Sequence, residues 1–372
     1  MASSQSSAGI EGYLRPVVAS FGAYIPSKSP ETIAKKLGVP LESIVNLGLN
    51  ENLYGCSPRV QQALAACHYF HTYPDAGQTE LRQQLQEYTG VDASRIVAGN
   101  GSDGLTTNIL RLFIDPGDKV INFAPTFEIF RHRTQILGGE MVNIPRDENF
   151  AISVKAAREA IDSKTKMIIL VNPNNPTGTV TPREDVLELA DIGLPLLVDE
   201  AYYEFSGETV TSLINQYDNL MITRTLSKWT GLAGLRIGYG IFPTKIAEYL
   251  LKIKEPFSVG IAAGIAARES LADVDYLMST VRALIAERER LFNELTNLKF
   301  LKPFPSKTNF ILCSVLKGKA SEIQGKLEQR GIIIRYYDKP PLENSIRITV
   351  GKPEHTDALL KVLREIEGEI GG

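Results

Sequence analysis

Four stretches of this chain carry side chains able to do chemistry together. The richest is Thr225-Leu226-Ser227-Lys228-Trp229, followed by Gly231-Leu232-Ala233-Gly234-Leu235-Arg236-Ile237-Gly238-Tyr239. Two hydroxyls, a lysine and an arginine eight positions after it flank a glycine-rich turn. That set suits a phosphate, and Lys228 adds an amine nucleophile. A lone Lys or Arg is ordinarily a solvated charge, so the case for Lys228 rests on its company. Asp199-Glu200-Ala201-Tyr202-Tyr203 ends an apolar run, where a carboxylate either holds a buried cation or stands as an ordinary exposed acid. Asn172-Pro173-Asn174-Asn175-Pro176-Thr177-Gly178 ends another. A turn explains its Pro, Asn and Gly content, but not why so apolar a strand should end in three amides. Gly99-Asn100-Gly101-Ser102-Asp103-Gly104 matches G-x-G-x-x-G. A dinucleotide fold also needs an acid at the end of the next strand. That strand closes on Ile121-Asn122-Phe123-Ala124, without one. What remains is a glycine-rich turn opening a helix, which offers N–H groups and a positive dipole end to an anion. A tight turn capped by Ser102 or Asp103 explains the stretch equally well.

The elements that must position these residues alternate strand with helix. Short apolar runs at 95–98, 119–123, 166–171, 195–199, 220–223 and 236–241 read as strands, with a helix from about Ser102 to Ile114. Runs apolar almost throughout, such as Lys166-Met167-Ile168-Ile169-Leu170-Val171, suit strands buried on both faces. Interleaved helices then imply an α/β fold with a mainly parallel sheet. After about Pro256 the pattern changes. Val274, Leu277, Met278, Val281, Leu284, Ile285, Leu291, Phe292 and Leu295 keep helical spacing, the stripe of a long core-packed helix. Strands near 309–313, 332–335 and 345–350 and helices near 319–330 and at the end complete an α+β region. The expected divisions are a mobile tail at 1–10 and a segment at 11–48, with one helical piece near 30–37, packing with the small domain or a partner chain. A large domain at 49–256 and a small one at 257–372 follow.

Composition narrows the class. The 372 residues are 43% hydrophobic and 22% charged, with a formal net charge of -3 and no long basic run. That excludes a broad nucleic-acid footprint. The opening residues lack the apolar core of a signal peptide, and no apolar run approaches the roughly 20 residues of a membrane span. Cys56, Cys67 and Cys313 are odd in number and form no metal-ligand pattern. A cytoplasmic protein without metal is expected.

In order, the G-S-D turn, N-P-N-N-P-T-G, D-E-A-Y and S-K-x-x-x-L-A-G-L-R-x-G-Y resemble the motifs of fold-type I aminotransferases, over about residues 20–368. The resemblance implies pyridoxal 5′-phosphate as cofactor. It also implies a large domain on a mainly parallel seven-stranded sheet plus a smaller α+β domain. Lys228 resembles the lysine that forms the Schiff base and later moves the substrate proton. Asp199 resembles the acid paired with the pyridine nitrogen. Asn175 and Tyr202 resemble the pair bonded to the phenolate oxygen O3′. Gly101, Ser102, Asp103, Gly104 (through its N–H), Thr225, Ser227 and Arg236 resemble the phosphate cup. Phe127 resembles the aromatic stacked on the ring, though core filling also accounts for it.

Further residues resemble the branch of that family acting on histidinol phosphate. Asn50-Glu51-Asn52-Leu53-Tyr54-Gly55 is close to its N-E-N-P-Y-G, and Tyr73-Pro74-Asp75 with Leu81-Arg82 fits its next pattern. The resemblance implies a homodimer in which Tyr54 reaches the partner's cofactor phosphate. It places Tyr24 and Asn50 at the substrate, Arg335 on the substrate phosphate and Arg347 on the carboxylate of the amino-acid partner. The implied reaction converts histidinol phosphate and 2-oxoglutarate to imidazole-acetol phosphate and glutamate, reversibly, in histidine synthesis. Leu53, Gly104, Phe127 and Trp229 depart from the pattern. Same-fold alternatives are an aromatic-amino-acid aminotransferase, needing no phosphate pocket, and a threonine-phosphate decarboxylase. A non-catalytic regulator that binds the cofactor is a more distant one, and it would carry its own DNA-binding module.

Overall fold

The structure is a computed structural model and describes residues 9–19 and 29–371. Tyr24 and residues 1–8 of the expected tail lie outside the described residues. Twelve strands are present among those described: β1 (Val45–Leu47), β2 (Ile96–Asn100), β3 (Lys119–Ala124), β4 (Glu140–Pro145), β5 (Thr165–Val171), β6 (Leu196–Asp199), β7 (Leu220–Thr225), β8 (Ile237–Ile241), β9 (Leu301–Pro303), β10 (Phe310–Val315), β11 (Ile332–Tyr337) and β12 (Ser345–Thr349). The reading by pattern omitted β1, β4 and β9. Two of these have three residues, too short for a period, and β4 is a half-exposed edge strand with weak alternation. Arg95 belongs to a 3₁₀ turn rather than to β2, and the following helix starts at Gly101, one residue early.

The large sheet has the order β2-β8-β7-β6-β5-β3-β4. From β7 to β4 all neighbours run parallel, while β8 runs antiparallel to both β7 and β2. This is the mainly parallel seven-stranded sheet that the resemblance implies. Its strands alternate between two core layers, as a period of two requires. Ile168, Leu170, Val198 and Ile222 face one layer, which continues beneath the smaller sheet. Met167, Ile169, Val171, Leu197 and Met221 face the other, against Leu105 and Ile109 of helix Gly101–Phe113 and Leu250 of helix Thr244–Ile253. Burial on both faces is why these strands are apolar runs rather than alternating ones.

The smaller sheet has the order β1-β11-β12-β10-β9. Helix Val274–Thr296 packs Leu277, Val281, Leu284, Leu291 and Leu295 into the core, the stripe its spacing predicts. Residues before the large sheet reach this region. Helix Pro30–Leu37 carries Lys36, paired with Glu328 at 2.8 Å, and β1 adds a parallel strand beside β11. The chain then bends at Gly48-Leu49-Asn50, where Asn50 bonds both Thr349 at the end of β12 and Tyr202 just after β6. Among the described residues no helix is long and apolar enough to cross a membrane, and no cluster of His, Cys, Asp and Glu could hold a metal.

Candidate active site

The carboxyl ends of β5, β6 and β7 deliver three of the four chemical stretches to one edge, where open α/β sheets bind ligands. The fourth arrives by register. Thr225 of β7 pairs with Gly238 of β8, and Gly238 pairs with Gly99 of β2, so Thr225, Arg236 and the start of helix Gly101–Phe113 converge. Among the described residues no side chain caps that helix. The cap reading of Ser102 and Asp103 therefore fails, and the first-turn N–H groups face the site with the positive end of the dipole. Arg236 adds its guanidinium, held by the Ala233 carbonyl at 3.1 Å and by Asp103 at 3.2 Å. Gly101 has φ +68, and a Cβ there would sit 3.0 Å from Arg236 Nη2. A Cβ at Gly238 would sit 2.6 Å from the Ser102 nitrogen. Both glycines thus keep the cradle open to an anion. Ser227 is buried beside it, its N–H donating to Thr225 Oγ1 at 3.0 Å. Gly104 lies in the first turn with ordinary clearance, its added Cβ 3.4 Å from that of Asn100.

Two adjacent acids end β6 and take opposite fates. Glu200 is enclosed and accepts two bonds from Arg224, at 2.9 and 2.8 Å, and one from the Val210 N–H at 2.7 Å. Asp199 is also buried rather than exposed, which removes its ordinary-acid reading. Its one hydroxyl partner among the described residues, Thr223 Oγ1, stands 3.4 Å away. Burial, with the nearby Asp103 carboxylate, raises its pKa to about 7. A protonated ring nitrogen beside it would restore the charged form, which is the chemistry that Glu200 has already spent on Arg224.

The three amides after β5 also divide. Asn172 Oδ1 accepts the Thr181 N–H at 2.8 Å, and Asn174 bonds Thr177, Thr126 and the Pro125 carbonyl. These two knot the loop. Asn175 faces the site and accepts from Arg347 Nη1 at 2.7 Å.

Lys228, Arg347 and Tyr202 meet over Gly48-Leu49-Asn50. Arg347 Nη2 donates to the Gly48 carbonyl at 2.8 Å, Lys228 Nζ to the Leu49 carbonyl at 3.1 Å, and Asn50 Nδ2 to the Tyr202 hydroxyl at 2.9 Å. Burial, then the Arg347 and Arg236 charges, lower the Lys228 pKa to about 8, with Glu51 and Asp103 opposing. A neutral, nucleophilic amine is therefore populated near neutral pH. Burial pushes Tyr202 up to about 12. Arg347 Nε is enclosed without a hydrogen-bond partner among the described residues. Arg335 on β11 stands directly opposite Arg347 on β12.

Phe127 is half-buried, edge-on to Phe130 at 6.3 Å and packed against the second core layer. Tyr54 stands with its ring 5.4 Å from Lys352 Nζ, and its hydroxyl has no hydrogen-bond partner among the described residues. Trp229 fits wholly inside the core, stacked on Tyr88 at 5.4 Å, so its bulk is turned away from the lysine's working end. Sequence reasoning missed the Gly48 and Leu49 carbonyls, which carry no residue-type signal, and Thr349 and Asn309, which look like ordinary strand-end polar residues.

Together these residues fit a flat, phosphate-bearing ring. The uncapped helix start and Arg236 suit its phosphate, the under-bonded Asp199 suits a basic ring nitrogen, and Lys228 suits a carbonyl carbon. A family model described as "Aminotransferase class I and II" matches residues 42–365. The histidinol-phosphate aminotransferase of Dehalococcoides mccartyi (strain CBDB1) is 49% identical over 357 residues, covering 96% of this chain and 98% of its own. That of Roseiflexus castenholzii (strain DSM 13941 / HLO8) is 44% identical over 368 residues, covering 96% and 99%. Among solved structures, the histidinol-phosphate aminotransferase of Sinorhizobium meliloti in complex with pyridoxal-5′-phosphate matches with a TM-score of 0.86. It is 30% identical, over 98% of this chain and 99% of that one.

Proposed function

The chain belongs to the class I and II aminotransferases, and from that premise we propose that it moves an amino group reversibly between histidinol phosphate and 2-oxoglutarate, in histidine synthesis. Its cofactor is pyridoxal 5′-phosphate, which when bound supplies the electron sink that weakens the substrate Cα–H bond. Asp199 keeps the pyridine nitrogen protonated. Lys228 carries the cofactor and moves the proton between substrate Cα and cofactor C4′. Asn175 and Tyr202 hold O3′, and Phe127 covers the ring. The N–H groups of Gly101, Ser102, Asp103 and Gly104, with Thr225, Ser227 and Arg236, hold the phosphate. Asp103 also steadies Arg236.

The observation that carries the substrate is the pair Arg335 and Arg347, directly opposite on adjacent antiparallel strands. A guanidinium binds phosphate or carboxylate through its planar fork. Arg335 takes the phosphate of histidinol phosphate, and Arg347 takes the carboxylate of glutamate or 2-oxoglutarate. Tyr24 and Asn50 complete the substrate pocket.

The same reading makes the protein a cytoplasmic homodimer. Exposed Tyr69, Phe70 and Tyr73, the last stacked on Phe257 at 4.6 Å, support an apolar contact with a second copy. The unbonded Tyr54 hydroxyl suits a phosphate across that contact. It also divides the chain at 49–256 and 257–372 into a cofactor-holding and a substrate-gripping part. Kinetics on purified protein with each amino donor test it. Histidinol phosphate should exceed phenylalanine in kcat/KM, and the reverse order would replace this reading with an aromatic-amino-acid aminotransferase.

A further inference from the structure

Asn50 is buried, 2% exposed, and held with φ +56, in the left-handed region. Four hydrogen bonds define it. Its N–H donates to Thr349 Oγ1 at 2.9 Å, and its carbonyl accepts from Asn309 Nδ2 at 2.9 Å. Its side-chain Oδ1 accepts from Thr349 Oγ1 at 3.2 Å, and its Nδ2 donates to the Tyr202 oxygen at 2.9 Å. The amide turns its oxygen to the threonine and its NH2 end to Tyr202. Thr349 Oγ1 already accepts the Asn50 N–H, so its single hydrogen is available to Oδ1. With Oδ1 committed there, only the NH2 end faces the phenol. Tyr202 therefore accepts from Asn50 and keeps its own hydrogen for another acceptor.

We infer that Asn50 is a positioning residue that aims the Tyr202 hydroxyl hydrogen at the cofactor's O3′, with Thr349 and Asn309 fixing its direction. Were the amide reversed, Tyr202 would donate to Asn50 and have no hydrogen left for O3′. The inference rests on the reading of Tyr202 as the O3′ partner given above. It adds to it a cause that lies in the other sheet, because Thr349 is on β12, two residues from Arg347 and on the same face. The other polar and charged groups around Tyr202 are Arg347 from β12, Asp199 from the end of β6 and Tyr337 from β11. None of them is altered by the variants below.

A donor at O3′ stabilises the deprotonated form of the lysine-linked cofactor, so losing it raises the pH at which the cofactor's visible absorbance titrates. The test is that absorbance titration on the holoenzyme, for wild type, Y202F, N50G and T349V. Glycine tolerates the left-handed backbone, so N50G removes the amide without strain and without adding charge. We expect Y202F to raise the midpoint by about one pH unit or more, N50G by at least half as much, and T349V by less in the same direction. If Y202F shifts while N50G and T349V titrate as wild type, the inference on Asn50 is overturned and the reading of Tyr202 stands. If Y202F itself does not shift, the Tyr202 reading fails and the inference with it. A merely structural Asn50 would lower the melting temperature of N50G and leave the midpoint in place.

Discussion

The two sheets contribute to one site in different ways. The large sheet offers buried strand ends and a helix start. Asp199 and Ser227 are enclosed, and Gly101 and Gly238 leave room only for what lies between the helix and Arg236. The small sheet offers guanidinium groups on facing strands, with Arg335 half-buried and Arg347 enclosed. The first region has little freedom and suits a permanent occupant. On the proposed reading, the second takes a phosphate in one half-reaction and a carboxylate in the other, which a pair of arginines does without rearranging the chemistry beneath. That reading gives reaction type to the large sheet and substrate choice to the small one.

That division is open to attack, and the largest expected effect comes from the lysine. Lys228→Ala should abolish the covalent cofactor link and lower transamination about a thousandfold or more. Normal turnover in this variant, measured by glutamate formation, would end the whole reading. Asp199→Ala should lower kcat roughly a hundredfold for every amino donor alike, since it acts on the ring rather than on the substrate. A loss confined to one donor would blur the boundary between the regions. Arg335→Gln should raise KM for histidinol phosphate roughly tenfold to a hundredfold, with a much smaller change in KM for 2-oxoglutarate. Equal changes for both would show that the arginines do not share the work as proposed.

The smallest effect is a pH dependence. Lys228 has its pKa lowered to about 8, and only the neutral amine can capture the cofactor. In protein stripped of cofactor, the capture rate should therefore rise about tenfold per pH unit below about 8 and level off above it. Because the Arg347 charge helps to lower that pKa, Arg347→Ala should move the break to higher pH, readable by rapid mixing with pyridoxal phosphate. An unmoved break would mean that the small sheet does not tune the lysine.

Much of the large sheet was legible because β5, β6 and β7 are covered on both faces and so appear as unbroken apolar runs. The small sheet was less so. β1 joins it from residues 45–47, far from β11 in sequence, and three residues carry no periodicity. Lys228, Asp199 and Arg236 stood out by type and by neighbours, whereas Arg347 was singled out through the resemblance alone. The Gly48 and Leu49 carbonyls could not, since every residue has one. Asn50 was legible as a polar residue in a motif, yet its partners Thr349 and Asn309 lie 299 and 259 positions away.

By itself, the sequence determined which residue types end each strand, in what order, and hence that a lysine, a carboxylate, a hydroxyl-rich turn and two late arginines exist to be assembled. Only the tertiary structure decided which of Asp199 and Glu200 is left for a ligand, and which of three asparagines faces the site. It alone decided that Arg335 stands opposite Arg347, and that the Asn50 amide turns its donor end to Tyr202. The reason is physical. Residue type is local, but the face a side chain takes depends on strand register and on what packs behind it, and both are set by segments hundreds of residues apart.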